Sequence, residues 1–414
     1  MTKKNGNVFA IGVMFLLFFM IAFVTNFAGS MGVIVKNQFG ASNAMAQLGT
    51  LANFIAYAFL GLPAGFLLKG KGYKFTALAA VAVGFVGVGI SYLSGIFGSF
   101  AIYLLGAFVS GFSMCMLNTV VNPLLNTLGG GGNRGNQLIQ IGGSCNSLAA
   151  TIVPVLAGML IGEVTEKTQV ADVNLALFIA MAIFALAFVI IFFSEIPEPE
   201  LEAAAEKAEK KEGTFESIKG ALSYKHFVFG AIAIFLYVGI EVGIPNIVNL
   251  YLTDVNGLNI ATGVAGSIVG AYWFLMLCGR LVAGVIGGKV SSRAMMTTVS
   301  LAGILLLLVG MFLPETLTVG LLGAQIPVGV LLFVACGLCT SVMWGATFNL
   351  AVEGLGKYTS IASGLFMVMV CGGGILPLLQ GAVADAAGYL QSYWVLVAAF
   401  AYTLWFALSG SKTK

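Results

Sequence analysis

Twelve long apolar runs, separated by short polar breaks, constrain this chain more than any other feature. They cover 8–35, 45–68, 74–97, 99–126, 136–161, 172–194, 226–252, 262–286, 293–313, 325–352, 359–382 and 390–410. A hydrocarbon core about 30 Å thick takes roughly 20 apolar residues per helix. Charged residues make up 8% of the chain, against about 25% in soluble domains. A large soluble core fails because twelve such runs would leave almost no polar exterior. The sequence therefore predicts an all-α membrane protein with 12 transmembrane helices in a lipid bilayer.

Charge sets the orientation. With the N-terminus cytoplasmic, every Lys and Arg except Lys36, Lys167 and Arg280 falls in a cytoplasmic segment, and Arg280 lies near the inner end of the eighth run. The positive-inside rule then puts both termini in the cytoplasm. The first run is too long for a signal-peptide core and reads as a retained helix. Residues 195–225 break the pattern with alternating Glu and Lys, as in Glu198, Glu206, Lys207, Glu209 and Lys210. They read as a charged, partly helical linker. It divides the chain into an N-terminal six-helix bundle, 1–194, and a C-terminal one, 226–414.

Polar residues inside the runs mark candidate function, because an ionisable group at bilayer depth costs ~2.5–3.5 kcal/mol on lenient scales. Of the sixteen acidic residues, Glu241 alone lies well inside a run, four residues before Pro245. A carboxyl that can take up and release a proton is what proton coupling requires, so Glu241 is the proton-coupling candidate; a purely structural role beside Pro245 is the alternative. Asn118, Asn122 and Asn126 recur every four residues and share a helix face, with Pro123 freeing one backbone group. Gln140, Ser144 and Ser147 form a stripe with Asn146 nearby. Thr25, Asn26, Asn246, Asn249, Trp273, Trp344 and Asn349 complete the set. Amides both donate and accept, which suits hydroxyls, and indole faces suit the C–H surface of a sugar ring. The substrate-binding candidates are therefore Asn26, Asn118, Asn122, Gln140, Asn146, Asn246, Asn249, Trp273, Trp344 and Asn349. A single membrane Asn often only bonds a neighbouring helix, for ~0.6 kcal/mol; the clustering favours a site. No Lys or Arg stands at mid-membrane depth, which argues against anionic substrates.

Other chemistry is poorly supplied. All six Cys lie in apolar runs, and Cys336 and Cys339, though spaced CxxC, have no metal-site partners nearby. One His, His226, makes a metal site or a Ser-His-Asp triad improbable. The Gly129–Arg134 loop lacks the Gly-Lys-Ser/Thr ending of a phosphate loop. The chain reads as no enzyme, with no cofactor, no metal and no nucleic-acid partner.

The halves echo each other: Leu125-Asn126-Thr127-Leu128-Gly129 precedes a helix with Gly142-Gly143 and Pro154, and Val352-Glu353-Gly354-Leu355-Gly356 precedes one with Gly372-Gly373-Gly374 and Pro377. Parallel repeats around a midplane site are the major facilitator plan. More specifically, Leu62-Pro63-Ala64-Gly65 with Gly72-Tyr73-Lys74, Asn122-Pro123, Asn146-Ser147-Leu148, Tyr237 to Val242, and Ser363-Gly364 through Pro377 to Ala384-Asp385 resemble the fucose–galactose–glucose:proton symporter family of the major facilitator superfamily. The resemblance covers most of the chain. It implies two six-helix bundles in the major facilitator fold, and import of a hexose or 6-deoxyhexose across the bacterial inner membrane by a monomeric, proton-coupled carrier. An uncoupled or Na⁺-coupled sugar carrier and an exporter of amphipathic compounds are the alternatives. Fucose-transporting members carry acidic residues in helices 1 and 4; the matching positions here are near Gly29 or Ser30 and at Asn118. The superfamily's loop motif has an Asp where Phe66 follows Gly65. The fold and a sugar-like substrate carry over; the usual proton pathway does not.

Overall fold

The computed structural model describes residues 3–129, 132–161, 174–198, 214–255, 257–286, 290–355 and 358–413. Helix α1 (Lys3–Phe39) is followed by a short α2 (Asn43–Ala46), whose first turn is capped by Ser42 Oγ accepting from Met45 N at 3.2 Å. Element α3 (Leu48–Phe97) is two helices meeting at a kink, one on each of the two runs that the sequence separates. The joint is Gly72, at φ 83° and ψ 178°, a conformation that side chains exclude and glycine tolerates. It turns the chain between the spans Leu48–Leu68 and Gly70–Phe97. Glu198, at the start of the expected linker, accepts from Tyr73 N at 2.6 Å and Lys74 N at 2.8 Å. An acidic side chain there satisfies the opening N–H groups of the second span.

Helices α4 (Phe100–Leu128), α5 (Gly132–Ile161) and α6 (Asn174–Phe193) complete the first half. The short α7 (Thr214–Leu222) leads into α8 (Lys225–Thr253), α9 (Thr262–Ile286) and α10 (Ser292–Phe312). Residues 199–213 of the linker lie outside the described residues.

Eleven helical stretches among the described residues are long and apolar enough to cross a membrane. The fifth run forms a helix, α5, in which the apolar stretch among the described residues is Ile141–Val153. Large apolar side chains such as Phe59, Phe97, Phe193 and Phe312 are exposed on the outside, as a lipid-facing surface requires. Polar Asn53, Ser113, Ser147, Thr340 and Gln380 are buried inside.

Two runs of the second half are interrupted. The tenth is α11 (Val328–Thr340) and α12 (Met343–Val352), broken at Ser341 and Val342; the eleventh is α13 (Thr359–Met369) and α14 (Gly372–Ala387), broken at Val370 and Cys371. A last span comprises α15 (Tyr389–Ser392) and α16 (Trp394–Trp405), which ends in a π-turn at Phe406–Gly410. Between α10 and α11 the chain forms an antiparallel hairpin, β1 (Thr318–Leu321) with β2 (Ala324–Pro327), in register Leu321↔Ala324. The sequence reading has no element there. Leu322 and Gly323 sit at φ 52° and 82°, as a two-residue type I′ turn demands. Leucine pays for that geometry with its Cβ. Leu322→Gly is expected to gain on the order of 0.5–1 kcal/mol, read as a higher unfolding temperature in detergent; a lower one would show that the exposed side chain is held by contacts.

The halves meet along several helices, α1 touching α8 among them. Helix α5 packs along α9, and α13 and α14 pack on α3 and α2. The second contact depends on small residues: a Cβ on Gly374 would lie 2.7 Å from Leu51 Cα, and one on Gly381 2.7 Å from Asn43 O. Beside it, Lys36 Nζ pairs with Asp254 and donates to Asn43 Oδ1 at 2.7 Å and Tyr389 OH at 3.0 Å. Asp385 accepts from Asn43 N at 2.7 Å and Ala44 N at 2.9 Å. Asn246 Nδ2 bridges to Gln47 Oε1 at 3.0 Å and Thr50 Oγ1 at 3.2 Å. This end of the molecule is sealed by polar bonds between halves.

Candidate functional site

A cavity of about 810 Å³ lies between the halves, within the ~300–1,000 Å³ of small-molecule sites. It reaches Ser292 and Met295 at the first turn of α10, the end at which Arg293 Nη2 meets Ser411 Oγ at 3.4 Å near the C-terminus. The sealed end is opposite. Both helix breaks of the second half touch the cavity, through Ser341, Val342 and Val370. Interrupted helices at a midplane site are a recurring transporter device, since irregular backbone is tolerated where it lines a cavity.

From the first half, α4 contributes Asn118 and Asn122, one turn apart on its cavity face. Asn118 Nδ2 donates to Tyr57 OH at 2.9 Å and Met114 O at 3.1 Å, and Asn122 Nδ2 to Asn118 O at 3.0 Å. Both N–H donors of Asn118 are so engaged, leaving its carbonyl oxygen, while Asn122 keeps one N–H as well as its carbonyl oxygen. Asn26 Nδ2 donates to Ala22 O at 2.9 Å, and Asn146 Nδ2 reaches Phe18 O of α1 at 3.1 Å. From the second half come Glu241, Trp273, Trp344 and Asn349. Trp344 lies against Tyr237, with ring centroids 6.2 Å apart. Trp273 meets Tyr272 edge-on at 5.1 Å, and Tyr272 OH donates to the backbone oxygen of Glu241 at 3.1 Å.

The structure thus gathers Asn26, Asn118, Asn122, Asn146, Glu241, Trp273, Trp344 and Asn349 around one space. Asn246 and Asn249 do not line it; Asn246 bonds across the sealed end instead. The Gln140 side chain, like those of Ser30, Asn126 and Gln137, lies outside the described residues.

One expectation needs correction. A cation does stand in the cavity: Arg280 lines it, its Nη2 lying 3.5 Å from Glu241 Oε1, and its Nη1 donating to Gly143 O at 2.8 Å and Ser147 Oγ at 2.7 Å. Read along the chain, Arg280 falls near the end of its run. A long side chain carries its charge toward the middle, and the packing of α9 on α5 brings acceptors to meet it. Position 280 is seven residues from Trp273, two turns on the same face, which was the available signal.

The family model for the Major Facilitator Superfamily matches residues 13–378. The chain belongs to the major facilitator superfamily. Among relatives of this facilitator, a protein named glucose/galactose transporter from Brucella abortus biovar 1 (strain 9-941) is 30% identical over 416 residues, covering 100% of this chain and 96% of its own length. A putative glucose/galactose transporter of Helicobacter pylori (strain ATCC 700392 / 26695) is 28% identical over 428 residues, covering 100% and 99%. The L-fucose-proton symporter of Escherichia coli (strain K12) is 22% identical, covering 96% and 92%. The crystal structure of the facilitator FucP in the outward conformation superposes with a TM-score of 0.71 at 21% identity, covering 99% of this chain and 100% of that one. That likeness shows the fold.

Proposed function

We propose that this facilitator is a secondary active transporter that imports a neutral hexose or 6-deoxyhexose across the bacterial inner membrane. Twelve membrane helices would form two six-helix bundles, 1–194 and 226–414, tethered by the charged linker 195–225, with both termini cytoplasmic. The observation that carries the reading is the cavity itself, walled by amides and indoles from both halves and sealed at one end. The names of the relatives, glucose/galactose transporter and L-fucose-proton symporter, point to the same substrate class. By the charge of the loops, the cavity faces the cytoplasm in this state, and alternating access would open the Lys36–Asp254 end in the other.

In this reading Asn118 and Asn122 accept from sugar hydroxyls, Asn26, Asn146 and Asn349 complete the polar wall, and Trp273 and Trp344 cover the ring faces. Glu241 carries the coupling proton, and one chain suffices as a monomer. Purified protein in proteoliposomes is expected to show saturable uptake of at least one sugar among common hexoses and 6-deoxyhexoses. Absence of saturable uptake for all of them would remove the sugar assignment. A changed sensitivity to amphipathic drugs on deletion, with normal growth on sugars, would replace it with the exporter.

A further inference from the structure

Arg280 is the least expected group in the cavity, and its bonding is uneven. Nη1 is fixed twice on α5, by Gly143 O at 2.8 Å and Ser147 Oγ at 2.7 Å. Those bonds come from the half opposite to the one that carries the arginine, and they set the plane of the guanidinium. On the other edge, Nη2 has Glu241 Oε1 at 3.5 Å, with the Tyr237 hydroxyl beside both groups. A charged guanidinium–carboxylate hydrogen bond normally closes to about 2.7–2.9 Å. Arginine carries five N–H donors in a rigid fork, so the edge formed by Nε and Nη2 is held in place and underused.

A second observation points the same way. Trp273 stands two turns earlier on the same face of α9 and lines the same cavity. Its indole is buried, and Nε1 has no hydrogen-bond partner among the described residues. A buried, unpaired N–H costs about 1–3 kcal/mol, so the enclosed ring is held at the cavity edge by its packing, and it offers the site its apolar surface. One helix therefore brings an arginine fork and an indole ring to a cavity that Asn118, Asn122 and Glu241 also line.

We propose that Arg280 is a substrate-contacting, specificity-determining residue whose Nε–Nη2 edge donates to two neighbouring hydroxyl oxygens of the sugar, beside the indole ring of Trp273. The proposal rests on the sugar reading above and names what that site selects: a ring with an adjacent pair of hydroxyls. Glu241 then has a second task, since its carboxylate holds the fork until the sugar takes the donors. A neutral ligand fits better than an anionic one, because Glu241 already supplies the negative charge beside the guanidinium. Arg280 is anchored on α5 and borne by α9, so sugar held by its fork also bears on the contact between the halves.

The test is binding of the transported sugar and its monodeoxy analogues, followed by the fluorescence of the cavity tryptophans in nanodiscs, for the wild type and for Arg280→Lys and Arg280→Gln. In the wild type, removal of either of two adjacent hydroxyls is expected to weaken binding about tenfold or more. Arg280→Lys keeps the charge without the fork, and is expected to weaken the parent sugar by a similar factor. It should then bind those two deoxy analogues as well as the parent. A residue that only shaped the cavity would lower all affinities in parallel, and parallel losses, or an unchanged parent affinity, overturn the proposal. If neither variant folds, the wild-type panel still decides: penalties spread evenly, or falling on non-adjacent positions, overturn it. A wild type that binds no hexose or 6-deoxyhexose at all would instead bring down the sugar reading itself.

Discussion

Glu241→Gln is expected to abolish gradient-driven sugar accumulation while sparing sugar exchange. Glutamine keeps the shape and the accepting oxygen of the side chain but cannot take up a proton. In proteoliposomes with an imposed pH gradient, the internal sugar concentration of the variant should rise to the external value and stop, whereas the wild type should exceed it. Counterflow, which needs binding and reorientation but no net proton movement, should survive. The fold should survive too. Arg280 retains Gly143 O and Ser147 Oγ, and both charged side chains keep some exposure, 14% for Arg280 and 16% for Glu241. The contact is long, at 3.5 Å, and glutamine keeps an oxygen that can accept from Arg280, so the loss is expected to fall well short of the ~3–5 kcal/mol for breaking a fully buried pair. Full accumulation by the variant would remove Glu241 as the proton carrier and leave an uncoupled or Na⁺-coupled mechanism.

What the sequence makes legible follows from which forces act along one dimension. Apolar runs locate the spans because a bilayer demands continuous apolar length, and the helices fall on those runs. Polar residues within them locate much of the cavity's polar lining, because an amide or carboxyl at depth needs a partner or water. Asn26, Asn118, Asn122, Asn146, Glu241, Trp273, Trp344 and Asn349 were found by that argument. The same argument selects Asn246 equally well, yet Asn246 bonds Gln47 and Thr50 at the sealed end. Burial cost says that a partner exists. It does not say whether the partner is a sugar or another helix.

The features that escaped are those defined by pairing or by local backbone geometry. The break at Ser341–Val342 interrupts a run with no Pro or Gly at the joint. Arg280 looked peripheral because depth was judged from its position in the run, not from where its guanidinium ends. Lys36, Asp254 and Tyr389 are separated by hundreds of residues and carry no shared motif. Their meeting depends on how the halves close, which no periodicity encodes.

That meeting leads to the second large effect. Lys36→Met is expected to shift the protein away from the state seen here and toward one open at the Lys36 end. Asp254 loses its ammonium partner and keeps the Tyr389 hydroxyl. Lys36 and Asp254 are mostly shielded, with side chains 15% and 6% exposed, so the penalty should approach but not reach the ~3–5 kcal/mol of a fully buried pair. A loss of roughly 1.5–3 kcal/mol changes the ratio of conformers tenfold to more than a hundredfold. Distances between spin labels on exposed positions of α2 and α15 should lengthen in Lys36→Met, and lengthen further when Asp385→Asn weakens the carboxylate bonds to Asn43 N and Ala44 N. Gly381→Leu supplies the steric counterpart, since its Cβ would fall 2.7 Å from Asn43 O and backbone cannot give way as a side chain can. The three variants act through charge, hydrogen bonding and volume, so a common lengthening would identify this contact as the closure of the sealed end. Wild-type distances in Lys36→Met and in Gly381→Leu together would show that the seal is maintained elsewhere, by the packing of α13 and α14 on α3.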